Sequence, residues 1–561
     1  MTTEKRIEQW TTSPFDTETI TAVKALANQP TELEDAFYKE AEFGTGGIRG
    51  IMGVGTNRIN RYTLGKATQG LANYLKTTQE AQNIKVVIAY DCRNNSKAFA
   101  QIVAQVLSAN NITTYLFSDL RPTPLLSFAV RHLKADSGIV LTASHNPPEY
   151  NGFKVYNQHG GQIVPPEDTK IIAAIEALEF SDINWEGKKE LILHIDQEVD
   201  DAYASTIVEK SLLNPTERKN NSIVLTSLHG TAIVNLPPVL KMAGYNQVHI
   251  VEEQAKPDGN FSTVNSPNPE EKEAFTLALQ KAKAMDADII LGTDPDADRL
   301  GIGVKDDKGQ WILLNGNQMM MALTRFVLEY SALPENAFIA STIVSTPMMD
   351  TLAQNFGVEC KLGLTGFKWI GKMIQDYPDQ TFLCGGEESY GFLIGDDVRD
   401  KDAISAALLA CDLQASLAAK GSSLYSYLIE TYQRYGCYHE ELVSITKKGK
   451  KGSEEIEEMM CNFRADTPTS IAGKKVLALD DFESGYSTSA QGERAKLNFP
   501  KANVLRFLLE DGWRVAIRPS GTEPKIKYYF SVNCPLEKVE DYPKINQFLK
   551  SQCQQLIQAF T

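Results

Sequence analysis

The hydrophobic positions along the chain repeat one arrangement three times. In residues 85–117, 222–251 and 337–364, a continuous apolar strand is followed by a polar turn, a segment with helical periodicity and a second short strand. Strands that are apolar throughout and are joined by helices form parallel sheets that are covered on both faces. The pattern therefore predicts three α/β units in series.

The C-terminal region follows a different pattern. Two apolar runs in residues 504–518 flank Asp511-Gly512, which is a strong hairpin signal. A further strand is predicted over 525–532, and residues 545–560 have helical periodicity. The fold class is thus α/β: three consecutive α/β units with mixed, mainly parallel sheets, and then a C-terminal α+β domain. The predicted domains are listed by residue range: 1–205, 206–312, 313–430 and 431–561.

Length and charge narrow the possible functions. A chain of 561 residues is too long for one hydrophobic core, and its composition of 42% hydrophobic and 23% charged residues is ordinary for a globular protein. The formal net charge of −15 argues against a general binder of nucleic acid or of membrane surfaces. An anionic ligand must therefore be met by a local cluster of basic residues.

The cysteines and the apolar segments favour a cytoplasmic protein. The eight cysteines are scattered without a CxxC pair, which is typical of reduced thiols in the cytosol. The N-terminus MTTEKRIEQW has no apolar core of the kind a signal peptide carries. The longest apolar stretch, 403–419, contains Asp412 and Gln414, so we expect a buried helix and no membrane span.

Three aspartates follow a predicted strand in the stretch LGTDPDADRLGIG. Asp294, Asp296 and Asp298 stand at alternate positions, so in an extended loop their carboxylates converge, and oxygen ligands of this kind suit Mg²⁺. A calcium-binding EF-hand is excluded, because its sixth position would be Arg299 and its twelfth Lys305. An acidic surface turn remains the alternative, although the apolar residues that follow Arg299 favour a site.

Two further loops offer polar groups suited to a sugar phosphate. In CGGEESYGFLIG, Glu387 and Ser389 share one face of an extended segment and could bind sugar hydroxyls. Glu388 points to the opposite side, so the two glutamates cannot flank one glycosidic bond. A surface turn is the other interpretation of this loop.

The stretch AIRPSGTEPKIKYY combines an arginine, hydroxyls and a glycine amide at the end of a predicted strand. Arg518, Ser520, Gly521 and Thr522 have the chemistry of a phosphate site. The loop lacks the Walker A pattern, and a plain strand connection is its alternative.

Two glycine-rich segments each present one basic residue. FGTGGIRG presents Arg49 and fails the dinucleotide pattern G-x-G-x-x-G, because the arginine occupies its sixth position. GLTGFKWIGK presents Lys368 among glycines and aromatic residues. Both segments could equally be loops with a solvated charge.

The stretch TASHNPPEYNGFKVY, directly after the apolar run SGIVL, brings Ser144, His145 and Lys154 together. The serine lacks the G-x-S-x-G elbow of acylating hydrolases. The groups predicted to lie near Ser144 are a divalent metal, a phosphate loop and several basic residues, which are the components of a phosphoryl-transfer site. In such a site a serine can carry the phosphoryl group covalently.

These segments, taken together, resemble a known family. TASHNP, DPDADR, GEESYG and RPSGTEP, in this order, resemble the α-D-phosphohexomutase superfamily, and the resemblance covers essentially the whole chain. FGTGGIRG and the chain length resemble most the phosphoglucomutase branch, which also contains phosphopentomutases and a sugar-bisphosphate synthase.

The resemblance implies four domains around a deep central cleft and a role for each motif. Ser144 would be phosphorylated, and one Mg²⁺ per chain would be held by a phosphoserine oxygen and the three aspartates. Glu387 and Ser389 would bind sugar hydroxyls. The non-reacting phosphate would be held by Arg518, Ser520, Gly521 and Thr522. The reacting end would be lined by Arg49, His145, Lys154 and Arg299, with Lys368 as a further substrate contact and Lys154 as a candidate for proton transfer.

The resemblance also implies the reaction. A loop of the GEESYG type favours glucose over mannose, so the expected activity interconverts glucose 1-phosphate and glucose 6-phosphate, with glucose 1,6-bisphosphate as intermediate and activator. Alternatives are a phosphopentomutase, a glucose-1,6-bisphosphate synthase, a metal-dependent phosphatase, and a sugar-phosphate sensor without catalysis. The expected partners are small sugar phosphates, with no nucleic acid, membrane or obligatory protein partner.

Overall fold

The chain folds into four successive sheets, of which the first three are mixed and the fourth is antiparallel. The computed structural model describes residues 1–560 except 45, 79–82, 215, 217, 219–220, 448 and 521–524, and it does not describe the side chains of 449, 450 and 453. This architecture confirms the predicted fold class.

The first sheet has six strands in the order β1-β5-β4-β2-β3-β6. Strands β4, β2, β3 and β6 pair in parallel, β5 pairs with β4 in antiparallel orientation, and β1 pairs with β5 in the same way. Its strands are Gly47–Ile51 (β1), Lys85–Tyr90 (β2), Thr113–Phe117 (β3), Ser137–Leu141 (β4), Tyr150–Asn157 (β5) and Ile192–Ile195 (β6). Its helices are Thr3–Gln9 (α1), Thr17–Leu26 (α2), Pro30–Phe37 (α3), Arg61–Thr78 (α4), Ser96–Ala109 (α5), Thr123–His132 (α6), Glu167–Glu176 (α7) and Gln197–Glu209 (α8). Buried residues of α4 and α5 cover one face and those of α6 and α8 cover the other, as continuous apolar strands require.

The second and third sheets repeat this plan with fewer strands. The second, in the order β11-β10-β9-β7-β8, consists of Ser222–Thr226 (β7), Gln247–Ile250 (β8), Ile289–Thr293 (β9), Leu300–Lys305 (β10) and Trp311–Leu313 (β11), with helices Ala232–Met242 (α9), Glu252–Ala255 (α10) and Thr276–Met285 (α11). The third, in the order β13-β12-β14-β15, consists of Ala337–Thr342 (β12), Glu359–Gly363 (β13), Thr381–Glu387 (β14) and Gly391–Ile394 (β15). Its helices are Gly316–Tyr330 (α12), Met348–Phe356 (α13), Lys368–Asp376 (α14), Ala403–Ala419 (α15) and Leu424–Tyr435 (α16).

The fourth sheet is the antiparallel C-terminal module. Its strands are Cys437–Thr446 (β16), Ser470–Ile471 (β17), Lys474–Asp481 (β18), Tyr486–Ser489 (β19), Arg494–Lys496 (β20), Leu505–Leu509 (β21), Arg514–Pro519 (β22) and Lys525–Cys534 (β23), and its helices are Gly449–Ala465 (α17) and Tyr542–Phe560 (α18). The predicted hairpin is present between β21 and β22. Asp511 and Gly512 both have positive φ there, 61° and 76°, which explains why the turn needs an Asp-Gly pair.

The apolar helix α15 lies in the core between units. Almost every residue of α15 is buried, and the Asp412 carboxylate inside it accepts a hydrogen bond from the Tyr245 hydroxyl at 2.8 Å. A helix that is hydrophobic all round is a core element. Within the described ranges no single helix could span a membrane; α15 and α16 pass that test only as a pair, with a 90° bend between them.

The sheets direct four loops toward one place. The carboxyl ends of β4, β9, β14 and β22 lead into the stretches that carry Ser144, the three aspartates, the loop after Glu387, and Ser520. Loops at the carboxyl ends of α/β strands are where such sheets place their ligands. The fold therefore brings together motifs that are up to about four hundred residues apart in the chain.

Candidate active site

Ser144 occupies a constrained, buried position after β4. Its φ of 51° lies in the left-handed region, which is uncommon for a residue other than glycine. Its amide donates to Thr142 Oγ1 at 2.8 Å, while its hydroxyl donates to Asp294 Oδ2 at 2.6 Å and lies 3.2 Å from His145 Nδ1. These contacts hold the Ser144 oxygen directly against the aspartate loop of the second unit.

Arg93, which the sequence analysis did not identify, holds the serine loop in shape. Its guanidinium is fully buried, with Nε 3.4 Å from Asp91 Oδ2. It donates to four backbone carbonyls of the loop: those of Ser144 at 2.7 Å, Pro147 at 2.8 Å, Tyr150 at 3.0 Å, and Asn146. A signal for Arg93 was available, since it follows β2 at the carboxyl edge where β4 also ends.

Replacing Arg93 with alanine should therefore weaken both the fold and turnover. The change leaves Asp91 as an uncompensated buried charge and frees four loop carbonyls, and such losses destabilise proteins by about 3–5 kcal/mol. We expect a clear drop in the urea midpoint and in kcat. In the control Arg61→Ala, which removes a half-exposed ion pair with Asp16, stability should change by at most about 1 kcal/mol. Equal effects of the two substitutions would contradict the role assigned to Arg93.

The three aspartates converge as the sequence predicts. One carboxylate oxygen of each of Asp294, Asp296 and Asp298 lies within 4.8 Å of the others, and all three residues are at most 2% exposed. Asp294 Oδ1 accepts the amides of Asp298 and Arg299, both at 3.1 Å, which holds the loop in a tight turn. An acidic surface turn is therefore excluded by burial.

This cluster has the properties that a divalent cation requires. Asp296 Oδ1 and Asp298 Oδ1 are buried and accept no hydrogen bond, so they have free lone pairs directed into the protein. Burial, and then the neighbouring charges of Asp296 and Asp298, raise the pKa of Asp294 well above its usual range. A bound cation would satisfy both oxygens and relieve the repulsion between carboxylates. The oxygen-only donor set fits Mg²⁺.

Two lysines approach the aspartates from other elements. Lys154 on β5 donates to Asp296 Oδ2 at 2.8 Å and lies 3.4 Å from Asp298 Oδ2. Lys401, which precedes α15, lies 3.1 Å from Asp298 Oδ2. Burial alone would lower the pKa of Lys154, but Asp296 and Asp298 outweigh it and raise that pKa, so Lys154 is an ammonium group at neutral pH.

Two contacts in this cluster were not anticipated from the sequence. Lys401 belongs to the third unit and Thr123 begins α6 in the first, where its hydroxyl donates to Asp296 Oδ2 at 2.9 Å. Neither residue lies in a motif, and only the packing of three units brings them to the aspartates. The loop that carries Asp294, Asp296 and Asp298 is thus contacted by residues of both the first and the third unit.

Arg49, His145 and Arg299 lie at the cleft side of the serine loop. Arg49 Nη1 donates to Asn146 Oδ1 at 3.1 Å, and Arg299 forms an ion pair with Glu270. Burial, and then the charges of Arg299 and Arg49, lower the pKa of His145 well below its usual range, so its ring is neutral at neutral pH. A neutral imidazole beside the serine oxygen can accept or return a proton there.

The predicted sugar loop is present at the turn between β14 and β15. Glu387 is 5% exposed and, like Ser389, lines the cleft. The loop is packed so tightly on α12 that a side chain at Gly316 would overlap the Glu388 carbonyl oxygen, 2.0 Å from the position of its Cβ. Glu388 lines the same cleft and accepts the Ser345 hydroxyl at 2.8 Å, so the expectation that it points to the opposite side from Glu387 is wrong: the segment turns between β14 and β15 and does not stay extended.

Glu388 should make stability depend on pH. Burial, and then the charge of Glu387, raise the pKa of Glu388 from 4.5 to about 7. An acid with a raised pKa in the folded state destabilises that state once it ionises, so the cost appears between pH 4.5 and 7 and is complete above pH 7. We expect Glu388→Gln to raise stability by on the order of 2 kcal/mol at pH 8 and to have little effect at pH 5.

Thermal midpoints of the two proteins at pH 5 and pH 8 test this expectation. Glu335→Gln, an exposed change in the same unit, serves as the matched control and should leave both midpoints unchanged. A Glu388→Gln difference that is the same at both pH values would show that ionisation of Glu388 carries no cost.

The predicted phosphate loop is described only in part. Arg518 and Ser520 line the cleft together with Lys525 and Lys527, and the Ser520 amide donates to the Lys525 carbonyl at 2.7 Å. Burial, and then the charges of Arg518 and Lys525, lower the pKa of Lys527. Crowded cations of this kind favour an anion between them. Gly521 and Thr522 lie outside the described residues.

Lys368 stands apart from the other predicted residues. It begins α14, and among the described residues it is not part of the cleft lining. Burial lowers its pKa to about 8, with Asp168 acting in the opposite direction and Arg518 in the same one. The charges that act on its pKa thus belong to the first and fourth units.

Several of the predicted side chains line one cleft between all four units. The cleft has a volume of about 760 Å³ and is lined by Arg49, His145, Arg299, Glu387, Ser389, Arg518 and Ser520 among others. A second hollow of about 540 Å³ continues behind Arg49 and reaches Lys154. Ser144 lies beside His145 of this cleft, which is also lined by Glu387 and Ser389 and by the cationic side chains Arg518, Lys525 and Lys527. This arrangement suits transfer of a phosphoryl group on a sugar that carries a second phosphate.

Comparisons with known proteins match most of the chain to one family. Residues 40–182, 201–309 and 315–435 match the alpha/beta/alpha domains I, II and III of phosphoglucomutase/phosphomannomutase, and residues 468–544 match its C-terminal domain.

Named relatives cover nearly the full length. A phosphoglucomutase of Staphylococcus epidermidis is 40% identical over 521 residues, which are 91% of this chain and 94% of the relative. A phosphoglucomutase of Staphylococcus aureus is 38% identical over 521 residues, with the same shares of the two chains.

Solved structures share the fold at lower identity. A putative phosphomannomutase from Thermus thermophilus superposes with a TM-score of 0.68 at 23% identity, over 91% of this chain and 99% of that one. A phosphoglucomutase from Paramecium, in an open form, superposes with a TM-score of 0.67 at 18% identity, over 92% of this chain and 96% of that one.

Proposed function

This chain belongs to the phosphoglucomutase/phosphomannomutase family, and from that premise we propose that it is a phosphoglucomutase. It would interconvert glucose 1-phosphate and glucose 6-phosphate through a phosphoserine enzyme and glucose 1,6-bisphosphate. The observation that carries the proposal is the 2.6 Å contact between Ser144 Oγ and Asp294 Oδ2, which sets the only serine of the TASHNP motif against three buried carboxylates.

In the first half-reaction the 6-hydroxyl of glucose 1-phosphate takes the phosphoryl group from Ser144. A bond forms between that oxygen and phosphorus while the bond from Ser144 Oγ to phosphorus breaks, and the proton of the 6-hydroxyl ends on Ser144 Oγ. The neutral His145 ring, 3.2 Å from Ser144 Oγ, is placed to hold or return a proton at that atom. The Lys154 ammonium stays charged and counters the negative charge of the aspartate loop.

In the second half-reaction the bisphosphate presents its other phosphate to Ser144. The phosphoryl group at position 1 returns to Ser144 Oγ and leaves glucose 6-phosphate. Glu387 and Ser389 hold sugar hydroxyls, while Arg518, Ser520 and Lys525 hold the phosphate that is not reacting. A cleft enclosed by four units keeps water from the phosphoserine.

The metal site would be formed by Asp294, Asp296, Asp298 and an oxygen on Ser144. Mg²⁺ bound there would neutralise charge on the transferring phosphoryl group.

We extend the proposal to the location of the protein in the cell. All eight cysteines are free thiols, which is typical of a cytoplasmic protein. Sugar phosphates would be its small-molecule partners.

The ratio of kcat/KM for glucose 1-phosphate to that for ribose 1-phosphate tests the choice of sugar. With Mg²⁺ and the matching bisphosphate for each substrate, we expect a ratio above about 10, because a site built to bind hydroxyls discriminates against a sugar that lacks them. Ser389→Ala should reduce this ratio, whereas Ser484→Ala, an exposed serine in the fourth unit, should not. A wild-type ratio well below 1 would favour a phosphopentomutase.

A further inference from the structure

Three side chains with different ligand atoms meet between β16 and α18, outside the residues assigned to the reaction. His439 and Glu441 stand two residues apart on β16 and therefore share a face, and Cys553 comes from α18, which packs on that face. One ligand atom of each lies within 4.8 Å of the others. A nitrogen, an oxygen and a sulfur atom thus converge.

The cluster is built and partly enclosed. Cys553 is fully buried, while the side chains of His439 and Glu441 are 15% and 30% exposed. His439 Nε2 lies 2.9 Å from Glu441 Oε1, and Gln554 Nε2 donates to the other carboxylate oxygen at 2.9 Å. The hydrogen bond from Gln554 orients the carboxylate, as outer groups do around metal ligands.

We propose that His439, Glu441 and Cys553 form a binding site for a divalent transition-metal ion, with Zn²⁺ as the best match. Imidazole, carboxylate and thiolate are the usual ligands of Zn²⁺, and three protein ligands with one position open to solvent is a common arrangement. A thiolate ligand selects against Mg²⁺ and Ca²⁺, which prefer oxygen. This site is therefore chemically distinct from the three aspartates.

The surroundings provide a route for the ion. A cavity of about 270 Å³ opens beside His439 and is bordered by Asn546 and Lys550 of α18. As the bond between metal and sulfur forms, the S–H bond of Cys553 breaks and its proton passes to water. Binding of the metal ion would link the edge strand β16 to the C-terminal helix α18.

Co²⁺ is the probe for this site, because a thiolate bound to Co²⁺ gives a charge-transfer band in the near ultraviolet that carboxylates do not. The full-length protein is freed of metal with a chelator, saturated with Mg²⁺ so that the aspartates are filled, and titrated with Co²⁺. We expect one equivalent per chain to develop the band and Zn²⁺ to remove it. Absence of the band in the wild-type protein would overturn the proposal.

Matched variants separate this site from the rest of the chain. Cys553→Ser should abolish the band, while Cys461→Ser, at the exposed thiol of α17, and Asp296→Asn should both retain it. Persistence of the band in Cys553→Ser would contradict the proposal. Circular dichroism of each metal-free variant verifies that it is folded.

Two other substitutions test the proposed metal site if Cys553→Ser fails to fold. Gln554→Ala removes only the group that orients the carboxylate and should weaken Co²⁺ binding by about tenfold or more. His439→Gln removes a ligand and should weaken it further. Unchanged Co²⁺ affinity in both variants would overturn the site. Because none of these residues acts in the proposed phosphoryl transfer, the outcome is independent of that proposal.

Discussion

Replacing Ser144 with alanine is expected to reduce turnover of glucose 1-phosphate to below about 1% of the wild-type rate, a loss of more than about 2.7 kcal/mol of transition-state stabilisation. The Ser144 hydroxyl is 2.6 Å from Asp294 and is held there by a left-handed backbone. Alanine removes the atom that carries the phosphoryl group and leaves the cleft otherwise intact. We therefore expect the substitution to lower kcat.

Labelling supplies the second readout for this variant. Incubation with glucose 1,6-bisphosphate that carries a labelled phosphate should mark about one site per wild-type chain and none in Ser144→Ala. Ser108→Ala, a buried serine of α5 in the same unit, is the matched control and should keep both label and turnover. A Ser144→Ala protein that retains more than about 1% of the rate would remove the covalent role from Ser144.

Replacing Asp296 with asparagine is expected to lower kcat/KM by at least about a hundredfold, or about 2.7 kcal/mol of transition-state stabilisation, because the proposed metal site loses one of its three carboxylate charges. Asp296 accepts from Lys154 and Thr123 through one oxygen, and its other oxygen is buried without a hydrogen bond. Burial opposes ionisation of Asp296, but Lys154 outweighs it and lowers the pKa of this carboxyl. Asparagine is uncharged, so Lys154 loses its partner charge and the proposed metal site loses one carboxylate.

The Mg²⁺ dependence of the rate identifies the cause. In Asp296→Asn the Mg²⁺ concentration for half-maximal activity should rise, whereas Asp286→Asn, an exposed change in the same unit, should leave it unchanged. If Asp296→Asn lowers activity with an unaltered Mg²⁺ titration, Asp296 is not a metal ligand.

The fold class could be predicted because its signals are local. Continuous apolar strands separated by helical periodicity correspond to β2, β7 and β12 with their following helices, and Asp511-Gly512 specifies a turn that only residues tolerant of positive φ can form. The positions of the antiparallel strands β5, β10 and β15 were not predicted in this way. Strand direction depends on which neighbours pair, and pairing is a property of the whole sheet.

The principal motifs could also be recognised, since each is a short segment whose chemistry is complete within a few residues. Asp294, Asp296 and Asp298 converge through the alternation of an extended loop alone. Arg93, Thr123 and Lys401 were missed because none of them lies in a recognisable motif, and Arg93 and Lys401 stand in polar turns that look like ordinary loops. Arg93 lies 51 positions from its partner Ser144, and Thr123 lies 173 positions from its partner Asp296.

The sequence by itself determined the three α/β units, the separate C-terminal α+β module and the candidate reacting groups, because periodicity and residue chemistry are carried by neighbours in the chain. Only the tertiary structure decided that Ser144 meets Asp294, that Lys401 reaches Asp298 and that His439 meets Cys553. Such contacts join different elements, and their distances follow from how sheets and helices pack, a result that no segment of the chain specifies alone.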